Sequence, residues 1–382
     1  MMDNPKKRRQ IPLAFILLLV LPCLIWSQEF MELPKPNSFV NKNIPRSKLR
    51  VVNEILPDFD KKLFFAVPYQ MAVNKQHEIF VFDIKLGSLF FFNDQCGYVN
   101  QTLSRGQGPF QTASVENNDI YAAGDGTVYV HDGMGDRVMQ FSNTGKPIRE
   151  KRLNRINADL NAFRPVVGRD GSLFTISSHN GIVDKYDKNF KFVRSYLDKN
   201  LMDKFLYYRS PYEKIFKKYK KFYDNKIWLF PDSFTVFYDV TVNNLLFIYI
   251  SRSSTAYIFD KDKLVRKFDV FPDLPLLQFK EKTIKANNER KKRGIHETTT
   301  MDMSMFFSCF LDKDANYIYF QASTADKENS LYQYDFSGRL IRIYSNCDHS
   351  VTFKARVKDN FYGLSVIDMH PVIFKIVKEE NK

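Results

Sequence analysis

His131, Asp132, Asp136 and Arg137 fall within seven residues of one another, inside GTVYVHDGMGDRVMQFSNTGKP from Gly126 to Pro147. An imidazole flanked by carboxylates could hold a metal ion or support catalysis, and Asp83 and His179 are further donors that could join it. Each metal sets its own demand. Catalytic zinc wants convergent His ligands, and a calcium loop wants Asp-x-Asp-x-Asp-Gly with a distant Glu. The stretch offers one His and two Asp without that spacing. His77, His179, His296, His349 and His370 form no i, i+4 pair and no His-x-His. No Gly-x-Ser-x-Gly elbow occurs, and the glycine pairs at Gly124–Gly126 and Gly106–Gly108 lack P-loop or dinucleotide spacing. No catalytic residue is therefore assigned. The competing reading is structural: Asp132 ends a strand, Gly133 and Gly135 turn a hairpin, and Arg137 pairs with a nearby carboxylate or carbonyl. His131 stands apart, as the side chain most suited to facing a ligand.

The elements that would position these residues form a repeat. A β-branched and aromatic strand, a polar turn, a strand ending in Phe or Tyr plus Asp or Ser, another turn and a charged strand recur six times. The copies start near His77, Gly126, Gly171, Asn244, Asn316 and Asn360. Alternation of apolar and polar residues, broken by Gly, Asn and Asp, is the pattern of strands and hairpins. Matching positions (Val81, Val130, Thr175, Tyr249, Tyr319, Leu364) are spaced 45 to 49 residues apart, then by two longer gaps, then by 45. Repeats of roughly 40–50 residues holding several strands predict an all-β fold, a six-bladed β-propeller. The segment from Arg50 to Leu56 could add the strand that closes it.

Within this pattern VYVHDGMGDRVMQFSNTGKPI resembles the NHL repeat, and LSRGQGPFQT (Leu103–Thr112) resembles the linker of bacterial exported six-bladed propellers of the NHL-like or TolB-like type. The linker here lacks a Gly-Glu before Phe110. In the repeat, His131 occupies a position that is usually apolar or small. The resemblance implies the fold. It leaves function open, because propellers serve as binding modules, scaffolds and enzymes.

The longer gaps predict insertions between blades 3 and 4 (about 200–225) and between blades 4 and 5 (about 271–305). RSPYEKIFKKYKKFYDN reads as a helix with Ser210 as cap and Pro211 in the first turn. Its Tyr212 and Tyr219 lie on one face, with Lys214, Lys217, Lys218 and Lys221 opposite, a candidate surface for a partner or an anionic membrane. The second insertion contains KANNERKKRGIH, a solvated basic stretch.

At the N-terminus a basic segment precedes the uncharged run Ile11–Trp26, and Ser27 supplies a small residue. This predicts a signal peptide over residues 1–27, or an uncleaved inner-membrane anchor over 11–26. A linker over 28–49 and the propeller over 50–382 would follow. The chain carries 36 Phe, 20 Tyr and a net charge of +14, enough apolar material for a large core and a basic balance suited to acidic partners. Cys96, Cys309 and Cys347 remain after cleavage, too few for a disulfide scaffold.

These observations predict an exported, monomeric binding or scaffold propeller of the periplasm or cell surface, recognising a protein, peptide or glycan. Export disfavours nucleic acid, and no cofactor is predicted. The alternative is a metal-dependent propeller enzyme, a lactonase-like hydrolase or lyase, with calcium or zinc in the central channel.

Overall fold

The computed structural model describes residues 44–55, 65–113, 118–132, 137–153, 162–177, 183–196, 236–241, 243–250, 255–261, 263–270, 308–312, 317–323, 329–345, 351–367 and 370–378. Among these the regular structure is entirely β. The N-terminal segment, the insertion containing Tyr212, Lys214, Lys217, Lys218, Tyr219 and Lys221, and the insertion over 271–305 lie outside the described residues.

After β1 (Arg46–Ile55) come four antiparallel four-stranded sheets, each in chain order. They are β2 (Pro68–Val73) to β5 (Tyr98–Thr102) through β3 (Ile79–Asp83) and β4 (Ser88–Phe92); then β6 (Asn118–Ala122), β7 (Val128–Asp132), β8 (Arg137–Phe141) and β9 (Pro147–Arg152). The third holds β10 (Ala162–Val167), β11 (Leu173–Ser177), β12 (Val183–Tyr186) and β13 (Phe192–Tyr196). The fourth holds β14 (Val236–Val240), β15 (Leu245–Ile250), β16 (Thr255–Asp260) and β17 (Lys263–Asp269). An eight-stranded sheet contains β18 (Ser308–Leu311), β19 (Tyr317–Ser323), β20 (Asn329–Asp335) and β21 (Leu340–Ser345). Beside them lie β1 and then β24 (His370–Lys378), β23 (Asn360–Ile367) and β22 (Thr352–Val357). The six matching repeat positions fall on β3, β7, β11, β15, β19 and β23. Multiple four-stranded antiparallel sheets make this an all-β, propeller-like fold.

Burial explains the composition of each strand. In β3 (IFVFD), β4 (SLFFF), β7 (VYVHD) and β8 (RVMQF) every residue is buried. A strand covered on both faces has no solvent side, so it reads as a near-continuous apolar run. The fourth strands, such as β5 (YVNQT) and β9 (PIREKR), are largely exposed and polar. Charge on such an edge discourages pairing with other chains.

The core lies between sheets. Phe80, Phe82 and Phe91 pack on Val128, Val130 and Met139, whereas Tyr121, Tyr129 and Val138 pack towards Leu173 and Val183. The chain's last strands return to its first sheet, where Tyr362, Leu364 and Ile373 join Met71, Val81 and Phe90. His77 Nδ1 and the Tyr362 hydroxyl lie 2.8 Å apart across that junction. β1 spans two partners: Arg46–Lys48 run parallel to β21, and Leu49–Ile55 run antiparallel to β24.

One turn design recurs. At 93–97, 142–146, 187–191 and 335–339 the residue ending the strand accepts backbone N–H groups two and four positions on, through Asn93, Ser142, Asp187 or Asp335. The fourth residue adopts positive φ, as Gly145 (85°) and Gly338 (84°), but also as Cys96 (66°) and Phe190 (62°). The turns between the first two strands of the four-stranded sheets, at 74–78, 123–127, 168–172 and 241–245, share a backbone hydrogen-bond pattern and a positive φ at the fourth residue.

Candidate functional site

The conspicuous acidic and basic side chains are bound into the scaffold. Asp83 is buried. Its Oδ2 accepts from Ala66 N (2.6 Å) and Val67 N (2.8 Å), and its Oδ1 accepts from Lys85 N (3.0 Å) and Leu86 N (2.9 Å). It thereby holds both the chain leading into β2 and the turn leading to β4. Asp132 is its counterpart in the next sheet. There Oδ2 accepts from Ala113 N (3.0 Å) and pairs with Arg137 Nη2 (2.8 Å).

Arg137 gathers the crossover between β5 and β6. Nη1 donates to Gly108 O (3.0 Å) and Glu150 (3.0 Å), while Nη2 also donates to Gln111 O (2.5 Å). Glu150 in turn accepts from Phe110 N (2.5 Å), whose ring stands edge-on to Phe141. Burial works against the Arg137 charge, but the hydrogen bond and charge of Asp132, with Glu150 behind them, outweigh it and hold the guanidinium above its ordinary pKa.

His131 is fully buried on β7, in register with Asp119 and Val138. It lies on the same side of the strand as Tyr129, which packs towards the third sheet. Asp136 and His179 lie outside the described residues. A divalent cation on Asp132 would face the Arg137 guanidinium across 2.8 Å. The described donors therefore do not fit a metal ion, and among the described residues no group of three or more His, Cys, Asp or Glu stands close enough to hold one.

The structure brings a different set together. The inner turns of four consecutive sheets converge on a cavity of about 290 Å³. Its lining comprises Val73, Asn74 and Lys75 of the first sheet, Tyr121 to Asp125 and Tyr129 of the second, Val167, Gly168, Arg169 and Gly171 of the third, and Val240 and Thr241 of the fourth.

Side-chain hydrogen bonds brace the turns along the wall. Asn74 Oδ1 accepts from Gln76 N (3.0 Å) and Glu78 N (3.0 Å), Thr241 Oγ1 accepts from Leu245 N (3.1 Å), and Asp125 Oδ1 accepts from Thr127 N (2.9 Å) and Oγ1 (2.7 Å). Neighbouring turns are tied as well: Arg169 N donates to Asn244 Oδ1 (3.0 Å). Asp170 is held below the usual carboxylate range. Burial alone would raise it, but hydrogen bonds from Ser172 and Asn244 dominate. Tyr121 and Tyr129, which also line the cavity, are a directly opposed cross-strand pair. Burial pushes the Tyr129 hydroxyl pKa up, against the lowering effect of a Thr127 hydrogen bond and of Arg149.

The cavity wall thus combines two tyrosines, small turn residues, the cations Lys75 and Arg169, and the carboxylate of Asp125. Such a surface can bind and orient a small polar molecule. None of these residues was a sequence candidate. Their shared signal is position, because each lies at or beside the turn following the first strand of its sheet.

No family model matches the sequence, and no curated protein matches it. Solved structures do. A Bacteroides fragilis protein described as exported superposes with a TM-score of 0.51 at 12% identity, covering 88% of this chain and 99% of that one. Virginiamycin B lyase from Staphylococcus aureus matches at TM-score 0.45 and 9% identity (86% and 99% covered), and a gluconolactonase from Xanthomonas campestris at 0.45 and 9% (88% and 96%). At these identities the likeness is one of fold. Among the described residues no helix is long and apolar enough to cross a membrane.

Proposed function

We propose that this chain is an exported six-bladed propeller of NHL-like or TolB-like descent that binds a ligand without transforming it. Six blades follow if the eight-stranded sheet is read as two, β18–β21 and β22–β24 with β1, joined through β1. The cell envelope is its place of work. Its ligand is a protein, peptide or glycan, seated in the cavity formed by the inner turns. The basic aromatic segment with Tyr212, Lys214, Lys217, Lys218, Tyr219 and Lys221 would add a contact to an anionic partner or membrane surface.

The observation that carries this reading is how the reactive-looking groups are used. Asp83, Asp132 and Arg137 direct their hydrogen bonds to backbone groups, to one another and to Glu150. An acid, base or metal ligand needs that capacity turned towards substrate. The test is to incubate the purified chain with soluble peptide and oligosaccharide arrays, following both binding and ligand mass. Saturable binding with unchanged ligand mass supports the proposal. Turnover of a bound ligand would establish the enzymatic alternative instead, and stoichiometric calcium or zinc lost on His131→Ala would overturn the preference for binding alone.

A further inference from the structure

The cavity has a chemistry specific enough to name a ligand class. At about 290 Å³ it lies at the small end of ligand sites, which run from roughly 300 to 1,000 Å³. Walls from four separate sheets enclose it as a bowl, and an extended peptide would need an open groove. It suits one compact ring. Asp125 can accept from hydroxyl groups and Thr241 can donate to them, and the buried Tyr121 and Tyr129 contribute only their edges to the wall.

Charge decides between a neutral and an acidic ring. Lys75, half-buried on the first sheet, and Arg169, exposed on the third, bring two cations to the wall against the single carboxylate of Asp125. That carboxylate already accepts two hydrogen bonds from Thr127. Cations approaching from separate sheets can grip one anionic substituent from two sides, and charge-assisted hydrogen bonds to a carboxylate are the stronger kind.

We infer that the cavity binds a sugar acid, a pyranose ring carrying a carboxylate, with Lys75 and Arg169 on the carboxylate and Asp125 and Thr241 on ring hydroxyls. This rests on reading the cavity as the binding seat, and two kinds of variant separate the two claims.

Gly124 lies on the wall, and a Cβ built there meets no atom within 4 Å. Gly124→Phe therefore adds bulk at the wall of the cavity, with open space for its Cβ. Lys75→Gln with Arg169→Gln removes both cations while leaving the cavity open.

The experiment is calorimetric titration of the intact chain and these variants with galacturonic acid, its methyl ester and galactose. Circular dichroism and thermal melting confirm that each variant is folded. Galacturonic acid should bind, with the ester and galactose at least tenfold weaker. The double Gln variant should lose tenfold or more for the acid alone, Gly124→Phe should abolish binding, and added salt should weaken the acid selectively. Equal affinity for acid and galactose, or no binding of the acid, overturns the assignment. Loss in Gly124→Phe with no loss in the double Gln variant overturns the acid while keeping the seat. If Gly124→Phe leaves binding intact, the seat itself is wrong.

Discussion

Replacing Arg137 with Met tests whether the residues that look most chemical are structural. The side chain is 6% exposed and its partner Asp132 is 0% exposed. Methionine keeps most of the apolar volume but removes four hydrogen bonds, to Asp132, Glu150, Gly108 O and Gln111 O. Asp132 keeps the Ala113 N–H and loses its countercharge in a site closed to water. Breaking a buried pair from one side costs about 3–5 kcal/mol, mainly because a charge is stranded.

The exposed pair Arg339–Asp335, at 72% and 22%, provides the control. Removing Arg339 should cost no more than about 1 kcal/mol, since water and salt screen that pair. The assay is urea unfolding at neutral pH followed by circular dichroism, for Arg137→Met, Asp132→Ala, the double variant and Arg339→Met. The double variant should lose less than the sum of the singles, by about 1–3 kcal/mol, because it leaves neither member of the Arg137–Asp132 pair alone. An Arg137→Met protein within about 1 kcal/mol of the parent, or singles that simply add, would refute the reasoning.

Other consequences follow from the turns. Cys96 holds a positive φ of 66°, so Cys96→Gly should raise the denaturation midpoint, by about 1 kcal/mol in stability. A fall would show that its half-buried thiol matters more than the backbone. Gly338 has φ +84° and a Cβ there would stand 2.5 Å from the Phe268 ring, so Gly338→Ala should cost about 1–3 kcal/mol, whereas Gly124→Ala should melt like the parent. Similar losses at both sites would count against this reading. Burial would raise the Asp335 pKa, but hydrogen bonds from Ser337 and Arg339 hold it below its ordinary value. A depressed folded pKa stabilises fully above the unfolded value of about 3.9 and is lost as pH falls through the folded one. The gap in melting temperature between the parent and Asp335→Asn should therefore narrow below about pH 4; a constant gap would remove Asp335 from the acid response.

Much of the fold is legible because its signals are local. Asn93, Ser142, Asp187 and Asp335 each close a turn within four residues, so Phe or Tyr followed by such a residue recurs visibly along the chain. The doubly covered strands show themselves as unbroken apolar runs, and β1 overlaps the segment proposed to close the fold. Non-glycine residues at positive φ, such as Phe190, blur the pattern. There, burial of the ring offsets the backbone cost, and a sequence shows only the residue type.

The site was less legible. The polar residues around His131 are close in sequence, yet only one of the four partners of Arg137, Asp132, lies among them; Gly108, Gln111 and Glu150 come from the crossover and the outer strand. The cavity needs Lys75, Asp125, Arg169 and Thr241 together, and only the stacking of four sheets achieves that. The sequence by itself determined strands, turns and their repetition, because hydrogen bonds within a hairpin depend on neighbours a few residues apart. Tertiary structure alone decided which charges are buried in the scaffold and which face a cavity, because that depends on how one sheet packs against the next.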